Sequence, residues 1–146
     1  MKATIEAVEL NPQVQQLLAD CQLPTDDLQD AANHLQLFGC QADVRLIGLV
    51  GLQMHGADAL LRSLAVADSA RGQGLGAELL AYAEQQAAAH GVQTIYLLTT
   101  TAEAFFTQRG YRLAERSAAP PAIAATRQLR GLCPATAAFM CKHLGV

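Results

Sequence analysis

The spacing of apolar residues in the first half of the chain predicts a strand, two helices and three further strands. An alternating edge strand spans Thr4–Val8, and a helix capped by Asn11 runs to Cys21. A second short helix is predicted from Pro24 to about His34. Three strand-like runs separated by turns then indicate an antiparallel meander; they span Leu35–Cys40, Val44–Met54 and Ala59–Val66.

The second half of the chain predicts a strand that lies parallel to the last strand of the meander. Apolar residues at four-residue spacing predict a helix over Leu75–His90, and the strand Thr94–Thr99 follows it closely. This order is typical of a βαβ crossover, so Thr94–Thr99 should be parallel to Ala59–Val66. Later elements are predicted at Ala102–Arg109 (a helix capped by Thr101), Tyr111–Ala114 (a strand), Ala122–Arg130 (a short helix) and Ala137–His143 (a strand). The predicted fold class is α+β, with a mixed sheet and helices around it.

Composition narrows the class of protein. With 146 residues, 51% of them apolar, the chain is long enough for one packed domain over residues 1–146. Its net charge of −3 argues against dense binding to a nucleic-acid backbone. The longest strongly apolar stretch, Leu46–Leu52, is far shorter than the roughly 20 residues of a membrane-spanning helix. The first ten residues do not resemble a signal peptide, so a cytoplasmic protein with reduced thiols is expected.

The cysteine and histidine spacings do not predict a metal site. The four cysteines form no C-x-x-C pair, and no His/Cys spacing suits zinc.

A glycine-rich loop is the strongest chemical signal. Arg71-Gly72-Gln73-Gly74-Leu75-Gly76 follows the strand that ends at Val66 and opens the helix from Leu75. Free amides of the first helical turn, together with the helix dipole, favour an anion such as a diphosphate. The alternative is a loop that merely turns the chain. A dinucleotide fingerprint should follow its strand directly, and a P-loop requires Gly-Lys-Ser/Thr, so neither motif fits.

Two blocks resemble the GNAT family of N-acetyltransferases. Leu64-Ala65-Val66 followed by the glycine loop resembles the family's acetyl-CoA signature, R/Q-x-x-G-x-G/A after a bulged strand. Residues Ala102 to Tyr111 (AEAFFTQRGY) resemble the helix after the family's fifth strand. A narrower likeness, to the arsenic-resistance N-acetyltransferase branch, rests on Leu61–Val66 (LRSLAV), Leu97–Phe106 (LLTTTAEAFF), Pro121–Ile123 and Leu132–Pro134.

The resemblance implies a cofactor site between two splayed strands, Ala59–Val66 and Thr94–Thr99. Acetyl-CoA would be the co-substrate, and backbone groups of Leu64 and Val66 would pair with its pantetheine arm. The N–H of Leu64 would also face the oxyanion of the transition state. The loop would hold the diphosphate through Arg71 and the amides of Gly72, Gly74, Leu75 and Gly76.

The proton-transfer groups are less well defined by the resemblance. Many members have a Tyr as general acid where this chain has Phe106, so Tyr96, Tyr111 or water would have to serve, or no acid is needed. The predicted base is Glu103, or Glu6 acting through water. The competing interpretation of Glu103 is an acidic residue that stabilises a helix N-terminus.

The acceptor is predicted to be a small amine. Arg62, inside an apolar strand, either pairs with a carboxylate or binds an anionic group of the acceptor, and Thr99 is a second candidate contact. An amino-acid-like or arsenical amine fits, although Cys133 and Cys141 have no spacing that would bring two thiols together on an arsenical. The alternative function is a non-catalytic acyl-CoA-binding module. The sequence leaves open whether the protein forms a homodimer.

Overall fold

The computed structural model describes residues 4–23, 25, 35–126, 129 and 136–144. Within them the strands are Ile5–Val8 (β1), Leu35–Ala42 (β2), Arg45–His55 (β3), Asp58–Val66 (β4), Thr94–Thr99 (β5), Arg112–Leu113 (β6) and Ala138–His143 (β7). The α-helices are Pro12–Asp20 (α1), Leu75–Ala89 (α2), Glu103–Thr107 (α3) and Pro121–Ala124 (α4). Short 3-10 turns span Asp68–Ala70 and Arg116–Ala118.

The described strands form one mixed sheet in the order β1-β2-β3-β4-β5-β7-β6. Strands β1 to β4 are antiparallel neighbours, β4 and β5 are parallel, and β7 pairs antiparallel with both β5 and β6. The predicted α+β class, the meander and the parallel pair are therefore confirmed. The sequence did not predict that the last strand inserts between β5 and β6.

The parallel pair of strands separates soon after it forms. Hydrogen-bonded register covers only Asp58–Thr94, Ala59–Ile95 and Leu60–Tyr96. Beyond Leu60, β4 continues to Val66 and β5 continues to Thr99. The two strands thus diverge towards their carboxyl ends, and the sheet opens between them.

A β-bulge bends β4 at the place where the strands diverge. The register with β3 passes from Leu49–Ala65 to Gly51–Arg62, so two residues of β4 lie opposite one residue of β3. One of the two, Ser63, has a φ of 60°, in the left-handed region that costs an L-residue about 1–2 kcal/mol. The bulge interrupts the strict alternation of β4 and turns its last residues relative to β5.

Helix α2 packs directly on one face of the sheet. Leu79, Leu80 and Ala83 of this helix join Leu52, Leu61, Ile95 and Leu97 of the strands in one buried cluster. The helix approaches closely because Gly48 has no side chain: a Cβ there would lie 2.8 Å from Leu79 Cδ1. A glycine inside a strand commonly marks such a close approach of another element.

The opposite face of the sheet is covered at two places. Near β2, β3 and the end of β4, the face packs against α1 through Val14, Leu17 and Leu18. Near β5 and β7 it packs against α4 through Ile123, which contacts the cluster of Leu60 and Phe139. Helix α1 begins as predicted, with the Asn11 side chain accepting the N–H of Val14 at 2.9 Å.

Several predicted boundaries need correction. Helix α3 is shorter than Ala102–Arg109, and Thr101 does not cap it: its N-cap is Ala102, whose N–H donates to Thr99 Oγ1 at 3.0 Å. The strand predicted at Tyr111–Ala114 is only Arg112–Leu113, because Tyr111 is buried instead beside α3. Of the helix predicted at Ala122–Arg130, the described α-helix is Pro121–Ala124. The helix predicted from Pro24 to His34 lies outside the described residues, except for Thr25.

Candidate functional site

The opening between β4 and β5 is a cleft of about 910 Å³. Its lining comes from β4 from Leu61 onward, the end of β5, the turn into α3 and α3 itself, the glycine loop, the residues after α1, and Ala137 next to β7. Most of these residues are Leu61 to Val66, Leu97 to Ala102, Phe105, Phe106, Arg71, Gly76 and Cys21 to Leu23. The two predicted site segments of the chain therefore meet at one place.

The edge of β4 that faces the cleft carries backbone N–H groups. The N–H of Ala67 donates to Ile47 O of β3 at 2.9 Å, so it points away from the cleft. Because successive residues of a strand direct their N–H groups to opposite edges, the N–H groups of Val66 and Leu64 point into the opening. Both residues are on the cleft wall.

The loop that opens α2 has the backbone of a glycine loop rather than an ordinary turn. Gly72 and Gly74 both have φ of 80°, and Gly74 is the N-cap of α2. An ideal Cβ at either position meets nothing within 4 Å, and both glycines are exposed. The amides of the first turn of α2, including Leu75 and Gly76, have no partner within the helix. This arrangement fits a diphosphate.

Arg71 connects the loop to β4 and to the residues after α1. Its Nε donates to Val66 O at 3.1 Å, its Nη1 lies 2.8 Å from Asp68 Oδ1, and its Nη2 lies 3.7 Å from Cys21 Sγ. The Cys21 thiol also donates to Val66 O at 3.7 Å. Since a carbonyl oxygen has two lone pairs, the N–H of Val66 is the group that remains for a further strand-like partner.

Arg62 lies on the wall opposite α2. It is 3% exposed, pairs with Gly51 of β3, and its Nε donates to Ser63 Oγ at 3.3 Å. Arg62 and Ser63 both line the cleft. Thr99 also lines it, but its hydroxyl oxygen accepts the N–H of Ala102, as described above for α3.

Phe106 lies in the cleft wall, and the tyrosines predicted to replace it as general acid lie elsewhere. Tyr111 is 2% exposed and its hydroxyl donates to Glu84 Oε2 at 3.0 Å; burial, and then the Glu84 charge, raise the pKa of Tyr111 far above its ordinary value. Tyr96 stacks on Phe139 with ring centroids 5.6 Å apart, and its pKa is raised by burial and then by Asp58. Neither tyrosine is part of the cleft lining.

The candidate bases also lie apart from the cleft. Glu103, in the first turn of α3, is exposed, and so is Glu6 of β1. Neither is among the lining residues, and the described lining contains no carboxylate and no histidine. The ionisable side chains of that lining are those of Cys21, Arg62 and Arg71.

Some lining residues were not predicted from the sequence. Ser63 has a positive φ although it is not glycine, so its residue type gives no signal of a left-handed backbone. Cys21 reaches the cleft only through the packing of α1 on the sheet, which local spacing does not reveal. The break in alternation at Arg62-Ser63 is the one local sign that could have marked the wall.

The family model for "Acetyltransferase (GNAT) family" matches residues 7–111, which include the end of β1, all of β2 to β5, the glycine loop and α3. The chain belongs to the acetyltransferase (GNAT) family. The predicted family and the predicted enzyme class, an acyltransferase, are thereby confirmed.

Solved structures share the fold of this acetyltransferase. N-acetylglutamate synthase from Neisseria gonorrhoeae, in complex with coenzyme A and N-acetyl-glutamate, superposes with a TM-score of 0.80 at 18% identity over 100% of this chain. The present chain spans only 36% of the length of that synthase. An acetyltransferase from Streptococcus agalactiae gives 0.75 at 18% identity, with 97% of this chain and 98% of the other covered. An aminoglycoside 6'-N-acetyltransferase in complex with coenzyme A gives 0.72 at 19% identity, with 97% of each covered.

Further findings concern membranes, metal ions and the cysteines. No described helix is long and apolar enough to cross a membrane. Within residues 4–23, 25, 35–126, 129 and 136–144, no group of three or more His, Cys, Asp or Glu side chains could hold a metal ion. Cys133 lies outside these residues, whereas Cys40 and Cys141 are buried; burial, and then the charge of Glu78, raise the pKa of the Cys40 thiol.

Proposed function

We propose that residues 1–146 form one acetyl-CoA-binding domain that transfers the acetyl group to a small-molecule amine by direct attack on the thioester. The observation that carries the proposal is the separation of β4 from β5 after the Leu60–Tyr96 pair, in a cleft that ends at the glycine loop. The coenzyme A bound in two of the neighbouring structures is consistent with this co-substrate.

The cleft offers backbone groups along the length of a CoA molecule. The amides of Gly72, Gly74, Leu75 and Gly76 would bind the diphosphate, next to the Arg71 guanidinium. The N–H groups of Val66 and Leu64 would pair with the pantetheine arm as an added strand would. The amides of Leu75 and Gly76 belong to α2 and those of Leu64 and Val66 to β4, so these four positions are fixed before the ligand binds.

The chemistry requires an oxyanion donor more than an acid. As the neutral amine attacks the thioester carbonyl, negative charge forms on its oxygen, and the N–H of Leu64 would stabilise that charge. The C–S bond then breaks, the electron pair leaves on sulfur as a thiolate, and the positively charged nitrogen loses its extra proton to water to give the amide. A thiol has a pKa of about 8.5, so the thiolate leaves near neutral pH without a proton from a side chain. Phe106 in the cleft wall is compatible with this reaction.

The amine must lose a proton before it attacks. Because the described lining holds no carboxylate and no histidine, we propose that the amine reacts from its small neutral fraction, with water taking the proton. Glu103 stays a prediction as base, and its exposed position in α3 would require a route through solvent.

The acceptor is proposed to carry an anionic group next to its amine. Arg62 is the buried cation of the wall opposite α2, and a buried guanidinium binds a carboxylate strongly. Ser63 Oγ accepts from its Nε, and Thr99 and Thr100 also line the cleft. An amino acid or an arsenical amino acid satisfies this description, and the arsenical acceptor stays a prediction of the narrower likeness.

The function is tested by amine-dependent release of free CoA from acetyl-CoA. We expect release with L-glutamate or another amine that carries a carboxylate, and mass spectrometry should find the N-acetylated product. Amines of the same size without an anionic group should react more slowly. A protein that binds CoA but releases none with any amine of the panel would be the non-catalytic acyl-CoA-binding module instead.

The role of Arg62 is tested by Arg62→Ala. If Arg62 binds the acceptor's carboxylate, KM for the acceptor should rise about tenfold or more, because a hydrogen bond to a charged group contributes about 1.5–3 kcal/mol. The Kd of acetyl-CoA should not change. The exposed Arg45 of β3 gives a control, Arg45→Ala, that should leave both constants unchanged. A normal KM with a sharply lowered Tm would show instead that Arg62 is a member of a structural ion pair.

A further inference from the structure

The order of features along β4 fixes the direction in which a thioester would lie, and this inference therefore rests on the proposed function. The diphosphate loop follows Val66, and the arm would pair first with Val66 and then with Leu64. Movement in that direction leads towards the Leu60–Tyr96 pair, where the two strands close. An acyl group on the sulfur therefore lies between Leu64 and the closed end of the cleft.

Three large apolar side chains form the wall at that closed end. Leu61 of β4, Leu97 of β5 and Phe106 of α3 all line the cleft and all belong to the core cluster under α2. They are 2%, 1% and 5% exposed, so their far sides are packed against other core residues. Leu61 and Leu97 are the first residues of each strand beyond the last hydrogen-bonded pair.

Phe106 is the member of this wall whose ring packs against a second aromatic ring, that of Tyr111. The Phe106 ring packs edge-on against Tyr111, with centroids 5.5 Å apart and an interplanar angle of 70°. Tyr111 is held by its hydrogen bond to Glu84 of α2, and Lys142 of β7 lies 3.0 Å from the same carboxylate. Because Glu84 holds Tyr111 and Lys142 holds the same carboxylate, the Tyr111 ring stays packed against Phe106.

We propose that Leu61, Leu97 and Phe106 limit the length of the acyl group, so that the site accepts acetyl-CoA and excludes thioesters with longer chains. A butyryl group has two methylenes more than an acetyl group, and these would have to displace core atoms at the closed end. Forcing additional methylenes into a packed core is unfavourable, and one methylene changes discrimination by about 10–200-fold in an apolar enzyme pocket.

The test compares the binding of acetyl-CoA, butyryl-CoA and free CoA by isothermal titration calorimetry. We expect wild-type protein to bind butyryl-CoA at least tenfold more weakly than acetyl-CoA. In Leu97→Ala the ratio of these two Kd values should fall at least fivefold, because the shortened side chain leaves room for the longer chain. The Kd of free CoA, which has no acyl group, should stay unchanged.

Two variants guard against loss of folding, and one serves as a matched control. Leu97→Val removes one carbon atom where Leu97→Ala removes three, and Phe106→Leu keeps a branched apolar side chain in place of the ring. Both should shift the ratio in the same direction by a smaller factor. Leu80→Ala removes an equally buried side chain of the same core cluster that does not line the cleft, and it should leave the ratio unchanged.

Each outcome separates this inference from the proposed function. Wild-type protein that binds free CoA but binds butyryl-CoA as tightly as acetyl-CoA would overturn the acyl-length limit and leave the proposed function intact. The same holds if the ratio is unchanged in all three cleft variants, Leu97→Ala, Leu97→Val and Phe106→Leu, or if Leu80→Ala shifts it equally. Absence of binding by any of the three ligands would contradict the proposed function itself.

Discussion

Replacement of Gly74 by valine should weaken acetyl-CoA binding about a hundredfold. Gly74 is the N-cap of α2, where the diphosphate is proposed to bind, and the space that a Cβ at Gly74 would enter holds no protein atom within 4 Å. A valine side chain would occupy that space, and two charge-assisted hydrogen bonds lost at about 1.5 kcal/mol each correspond to a factor of this size. Isothermal titration calorimetry with acetyl-CoA measures the change.

The control for Gly74→Val must reproduce the strain of a positive φ. Gly74 has φ of 80°, so valine there is destabilising whether or not a ligand binds. Gly91, just after the carboxyl end of α2, has φ of 85°, and its Cβ also meets nothing within 4 Å. Gly91→Val therefore carries a comparable strain at the far end of the same helix, and it should lower Tm without changing the Kd of acetyl-CoA.

Equal affinities in the two glycine variants would contradict the diphosphate site. If folded Gly74→Val protein binds acetyl-CoA as wild type does, the loop only turns the chain from β4 into α2. If Gly91→Val weakens binding as much as Gly74→Val does, the effect comes from general destabilisation. Circular dichroism of both variants at the titration temperature shows whether each is folded.

The sheet and the loop were predictable from the sequence because each leaves a local signal. Alternation and turn residues mark the meander, and the spacing from Ala59–Val66 through a helix to Thr94–Thr99 permits only a parallel neighbour. Glycines at positions 72 and 74 mark a backbone with positive φ, and the structure has it at both. Properties of one segment and its neighbours were enough for these features.

The walls of the cleft depend on contacts between distant segments, and the sequence did not predict them. Ser63 adopts a positive φ because β3 and β4 pair out of step, a property of two strands rather than of one residue. Thr99 rather than Thr101 binds the start of α3, because the chain turns sharply after β5. Tyr111 was a candidate acid by residue type alone, and the fold commits its hydroxyl to Glu84 of α2.

The rate of the proposed reaction should rise with pH, and the profile should have no falling limb at any pH lower than about 9.5. A primary amine with a pKa near 10 is mostly protonated at neutral pH, so kcat/KM for the acceptor should rise about tenfold per pH unit. Between pH 6.5 and 8.5 the expected increase is about a hundredfold. The inflection should shift with the pKa of the acceptor amine when two acceptors of different basicity are compared, because no described cleft residue is a carboxylate or a histidine.

A falling limb would require a general acid in the cleft, and no tyrosine is among the described lining residues. Burial raises the pKa of Tyr111 and also that of Tyr96, so neither would lose its proton below pH 9.5.

Phe106→Tyr places a phenol in the wall, and it should change kcat by less than tenfold, since a thiolate whose thiol has a pKa of about 8.5 leaves without help. A bell-shaped profile in wild type would contradict direct departure of the thiolate. A gain well above tenfold from Phe106→Tyr would show that the chain binds the cofactor but has lost an efficient acid step. An inflection that stays at one pH for both acceptors would assign the titration to a base on the protein, and Glu103→Gln would then be the first variant to measure.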